Sequence, residues 1–97
     1  MKTETIMSTI NALPRGAALC DHSAYMNHEA TEEDGPVLLV DVLAWRTRSQ
    51  NDEDARWHHV DTLVRAIESL PGVANVEQVG DVDHENGRGW TFEVKLA

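Results

Sequence analysis

The chain has 97 residues, 41% of them apolar and 26% charged, which suits one globular domain spanning residues 1–97. Seventeen acids against eight lysines and arginines give a net charge of -9. That balance excludes a free nucleic-acid or anionic-membrane binder, because such proteins gain affinity by neutralising phosphates. Any charged partner is expected to be basic.

Cys20 is the only cysteine, so no intrachain disulfide framework exists. The opening residues hold no continuous apolar stretch of the signal-peptide kind. The longest apolar-rich run, Val37 to Trp45, falls far short of the roughly 20 residues of a membrane span. A soluble cytoplasmic protein is the expectation.

In chain order, Ile6, Ile10 and Leu13 recur at helical spacing before Pro14, predicting a short N-terminal helix. Ala17 to Met26 fits a weakly alternating strand or a second short helix; the strand is preferred, because it can hairpin through the acidic run Glu29 to Pro36 into Val37–Trp45. That second segment is rich in β-branched residues and apolar on both parities, so it reads as an interior strand covered on two sides.

A long helix is predicted from about Asp52 to Leu70. Trp57, Val60, Val64 and Ile67 recur at spacings of three and four, with Leu63 and Leu70 widening the stripe. Asn51 is placed to cap it, the first-turn acids Asp52, Glu53 and Asp54 suit its dipole, and Pro71-Gly72 stops it. Two strands follow, Val73–Asp83 and Trp90–Leu96; in the second, Trp90, Phe92, Val94 and Leu96 alternate against Thr91, Glu93 and Lys95.

Turn length sets the register of this hairpin. A two-residue Asn86-Gly87 turn would put Asp81 and Asp83 opposite Phe92 and Trp90, on the core face. A three-residue Glu85-Asn86-Gly87 loop pairs Trp90 with Val82 and Phe92 with Gly80 instead, and is preferred. Glu77, Asp81 and Asp83 then share the outward face with Glu93 as a row of carboxylates.

Several constellations invite chemistry. His22, His28, His58, His59 and His84 lie among acids, yet none has zinc-ligand spacing. Asp81, Asp83 and Glu85 lack the glycine and distal glutamate of a calcium loop. Solvated surface is the preferred reading of all of them, with no metal and no cofactor expected. Cys20 and His22 would share one strand face, but a lone cysteine is more often a small buried apolar residue. No catalytic signature or phosphate-binding glycine loop is present, and an enzyme is not expected.

The fold predicted is α+β: a three- or four-stranded, largely antiparallel sheet, one long helix packed on it and a short N-terminal helix. Strand, helix and hairpin in that order are similar to part of a ferredoxin-like fold. In size, acidity and want of catalytic motifs the chain resembles the small acidic anti-CRISPR proteins of phages. That resemblance implies a non-enzymatic inhibitor acting as a DNA mimic on a basic surface of a nucleic-acid-binding protein or a multisubunit CRISPR effector complex. The partner-binding candidates are Glu77, Asp81, Asp83 and Glu93 on the sheet, Asp52, Glu53 and Asp54 at the helix start, and Glu32, Glu33 and Asp34 in the acidic run. The competing reading is a structural or assembly subunit, of phage tail or neck type or a dimeric ferredoxin-like module, using a sheet edge or Trp45.

Overall fold

A computed structural model describes residues 2–14, 20–29, 35–45, 50–84 and 87–97; of these, 20, 45, 50–56 and 82–84 are described by backbone alone. The elements are α1 (Thr3–Ala12), β1 (Cys20–Met26), β2 (Val37–Trp45), α2 (Gln50–Glu68), β3 (Val73–His84) and β4 (Gly87–Leu96). The strands form one sheet in the order β1-β2-β4-β3, every neighbouring pair antiparallel. The fold is therefore α+β, with two helices and four strands among the described residues.

Because β2 and β3 both run against β4, they are parallel to one another with β4 between them. Strand β2, helix α2 and strand β3 thus make a split βαβ unit, and β4 returns as a hairpin into the gap. This is the ferredoxin-like portion expected from the order of elements. The remaining pair, α1 and β1, precedes it in the chain and adds β1 to the outer side of β2.

One face of the sheet carries the core. Its alternate positions on β1, β2 and β4 supply His22 and Ala24, then Leu38, Val40, Val42 and Ala44, then Trp90, Phe92 and Val94, all buried. Ile6 and Ile10 of α1 and Val60, Leu63 and Ile67 of α2 close over them. The spacing of those helical residues puts each set on one stripe. Burying a side chain such as Leu38 contributes about 1.5–3 kcal/mol. Asn11 ties α1 to the free edge of β1: its Nδ2 donates to the Ala24 carbonyl at 3.2 Å, and its Oδ1 accepts from the Ala24 amide at 2.8 Å. That capture occupies part of an otherwise open strand edge.

Helix α2 starts two residues earlier than the acids at its head predict and ends at Glu68. Its last turn tightens, Leu70 N–H donating to the Ile67 carbonyl, before Gly72 turns the chain at φ 90° into β3. A positive φ of this size is where glycine costs least. The C-terminal Ala97 amide donates to the Gly72 carbonyl at 2.7 Å, fastening the chain end to this turn.

The register of the β3–β4 hairpin is not the one the apolar alternation predicts. Trp90 pairs with Asp81, not Val82, and Phe92 with Gln78, not Gly80; Gly87 is already in β4, opposite His84. The pairing shifts twice, between Val73 and Asn75 and between Gln78 and Gly80, so β3 is bulged at Ala74 and at Val79. A bulge inserts one residue and reverses the facing of everything beyond it. The three-residue loop was preferred to keep carboxylates off the core face, but at this end of the sheet that face reaches past the buried core. Asp81 stays exposed there.

Candidate functional site

Two surfaces gather charged and aromatic side chains. The first is the sheet face that carries neither helix. Directly opposed residues of antiparallel strands present their side chains on one face, so the pairing lays out rows across it. One row is Tyr25, Leu39, Glu93 and Glu77; the next is Ser23, Asp41, Thr91 and Gly80. Asp41, exposed on the central strand, is held by two donors from its neighbours. The Tyr25 hydroxyl donates to Oδ2 at 2.9 Å and the Thr91 hydroxyl to Oδ1 at 2.9 Å. Partial burial, then the hydrogen bond and charge of Asp41, push the Tyr25 phenol above its ordinary pKa of 10.0.

Glu77 and Glu93 are partners across β3 and β4. Like charges placed directly opposite are unfavourable in a sheet, and their relief is slight, a 3.8 Å approach of Lys95 Nζ to Glu93. Among the described residues this face holds Asp21, Asp41, Glu77 and Glu93 against the single cation Lys95. Leu39 and Leu43 lie between them, partly exposed. Strand β2 is therefore interior to the sheet, and among the described residues both helices cover one side of it, where cover on two sides is expected from the sequence.

The second surface lies at the far end of the helix-bearing face. Trp57 of α2 meets Trp90 of β4 edge to face, ring centroids 4.8 Å apart at 60°. The Arg88 guanidinium sits 5.5 Å from both ring centroids and donates to the Asp81 carboxylate at 2.8 Å. Arg88 stands in β4, one pleat from Trp90, which is why its side chain reaches both indoles.

The predicted carboxylate row is thus divided. Glu77 and Glu93 come together on the open face, whereas Asp81 lies on Trp90's side, engaged by Arg88. Asp83 pairs by backbone with Arg88 on that same side of β3. Asp52, Glu53 and Asp54 fall in the first turns of α2, described by backbone alone, and Glu32, Glu33 and Asp34 lie outside the described residues. The residues missed by sequence reasoning are Asp41, Tyr25 and Thr91, which only strand pairing unites, and Arg88.

The histidines correct a second expectation. His22 is not solvated surface: it is 3% exposed, and its Nε2–H donates to the Ile10 carbonyl at 2.8 Å. His59 is half-buried with Nε2 fully enclosed, and burial first, then the proximity of His22, lowers its pKa from 6.5. His28 and His58 are exposed. Among the described residues no three of His, Cys, Asp and Glu are grouped to hold a metal ion. Among the described residues no helix is long and apolar enough to cross a membrane. Comparison with known proteins finds no matching family model, no matching curated relative and no matching solved structure.

Proposed function

We propose that this chain is a non-enzymatic binding protein whose open, acidic sheet face occupies a basic nucleic-acid-binding surface of a larger protein. The observation that carries this is the apposition of Glu77 and Glu93 on a face no helix covers. Such a pair costs the isolated fold stability, and a cationic partner removes that cost on binding. Asp41, fixed at the centre of the face by Tyr25 and Thr91, adds a third carboxylate with little freedom to lose. Successive strands lie about 4.8 Å apart and alternate residues about 6.6 Å apart, so the carboxylates are laid out at spacings comparable to those of backbone phosphates. The resemblance to anti-CRISPR proteins names the target class to try first, multisubunit CRISPR effector complexes acting on DNA.

The test is competition. Purified effector complexes are titrated with labelled duplex DNA in the presence of the chain, at low and at high salt. The chain is expected to displace DNA, with an effect that weakens steeply as salt rises. Unchanged DNA binding across a panel of such complexes would remove the proposal.

A second reading is favoured by Leu39 and Leu43, apolar and partly exposed on the central strand of the same face. These fit an assembly subunit that stacks sheet on sheet with another copy. Light scattering that finds a stable oligomer insensitive to salt would favour it over the inhibitor.

A further inference from the structure

The two outer strands of the sheet are finished differently. On β1 the Asn11 side chain stands in for a neighbouring strand at Ala24, donating to its carbonyl at 3.2 Å and accepting from its amide at 2.8 Å. Strand β3, 12 residues long, borders no further strand among the described residues, so a row of its backbone N–H and C=O groups faces outward. Edges are commonly guarded by lysine, proline, bulges or cover. Residues 73–84 hold no lysine, arginine or proline. Bulges bend the strand at Ala74 and Val79, yet between them Asn75, Val76, Glu77 and Gln78 keep an unbroken register with β4. Val79 stands 51% exposed at the end of that run.

The described charges along this edge do not cancel. Glu68 and Glu77 are exposed, and among the described residues neither is in an ion pair, unlike Asp61 and Asp81, which Arg65 and Arg88 engage. Lys95 approaches Glu93 on β4 instead, at 3.8 Å. Glu68 also ends α2, where the helix dipole favours positive charge, and with Val73, Ala74, Asn75 and Val76 it lines a recess beside the start of β3. A second copy pairing its own β3 here would bring acids and no cation to the edge.

We propose that the outer edge of β3 pairs with an extended, basic segment of a partner protein, which adds a strand to the sheet. Side chains of the added strand alternate between the two faces. One set falls in line with Glu77, where a cation relieves its apposition with Glu93. The other falls beside Val76 and the recess at Glu68, which suits a side chain with an apolar stem and a basic head. The contact is made by backbone at the rim of the sheet, not by the open face. It shares with the proposed function Glu77 and the premise that the partner is basic.

The probe is a short synthetic peptide of alternating arginine and threonine. It is compared with a fully N-methylated peptide of equal charge and with one bearing glutamate for arginine. Binding to the full chain is read by fluorescence anisotropy, and backbone amide exchange by nuclear magnetic resonance. The arginine peptide is expected to slow amide exchange within Asn75–Gln78, and its N-methylated counterpart to bind about tenfold more weakly or worse. V79K, which sets a lysine on the exposed edge, should weaken the arginine peptide about tenfold. V79T, which keeps the β-branch, should stay within about threefold of the parent and guards against a folding artefact.

Equal binding of the N-methylated peptide, preference for the glutamate peptide, no binding, or no slowing of the β3 amides would each overturn the proposal. Any of these, with DNA displaced from an effector complex by the parent and V79K alike, would sink this inference and spare the proposed function. Slowed β3 amides with no displacement of DNA from any effector complex would sink the proposed function alone.

Discussion

Arg88 donates to Asp81 at 2.8 Å on the same side of the sheet as Trp90, so Asp81 is engaged within the chain. It is therefore not a free member of an outward carboxylate row. The pair is roughly half exposed, which limits its contribution to under about 1 kcal/mol. D81N is expected to lower unfolding free energy by no more than that in urea titrations. R88A should cost more, about 1–2 kcal/mol, because it also removes the contact with two indole rings. An R88A loss no greater than that of D81N would show that the aromatic contacts contribute nothing.

Glu77 and Glu93 make the opposite prediction. If their apposition is unfavourable, E77Q/E93Q should stabilise the chain by about 0.2–1 kcal/mol, and most of the gain should vanish at high salt. Thermal melts at two ionic strengths measure this. A destabilised double variant would mean the two carboxylates are held by contacts the pairing does not reveal.

Acid should loosen the packing of α2 on the sheet. His59 has a folded pKa below its unfolded value near 6.5, so the folded state binds fewer protons than the unfolded one. The stability associated with a neutral His59 is fully present above pH 6.5 and is lost as pH falls below that value toward the folded pKa. Urea midpoints between pH 7.5 and 5 (~ values spanning the ordinary histidine range) should decline, and H59Q should flatten that decline. An identical slope in H59Q would place the linkage elsewhere.

Tyr25 is the only tyrosine, so its ionisation can be followed by the ultraviolet absorbance of tyrosinate. Its midpoint should lie above 10.0, through partial burial and through Asp41, and move back toward that value in D41N, because the Asp41 carboxylate accepts the phenol's hydrogen bond and its charge opposes the phenolate. No movement in D41N would mean that Asp41 does not act on Tyr25 in solution.

Much of the fold was legible. The stripe Val60, Leu63, Val64, Ile67 and the alternation of Trp90, Phe92 and Val94 are strong periodic signals, and both elements stand where those signals put them. The β3–β4 register was not legible, because alternation identifies faces only while the strand stays regular. The bulges at Ala74 and Val79 carry no composition signal of their own, and the second reverses the facing of Asp81 relative to Glu77. His22 was misread for a related reason. A histidine in a weakly alternating segment looks solvated until a carbonyl such as that of Ile10 is known to lie within reach. Asp41 joins Tyr25 and Thr91 only through pairing of β2 with two strands distant in sequence, which no local motif encodes.

The central claim is that the open face, through Glu77 and Glu93, meets a basic nucleic-acid-binding surface. Its most direct test compares E77K/E93K with D81N in the DNA-displacement assay on an effector complex that the parent chain inhibits. The account predicts that E77K/E93K no longer displaces DNA, while D81N displaces it as the parent does. Full displacement by E77K/E93K, with its fold intact by circular dichroism, would contradict it.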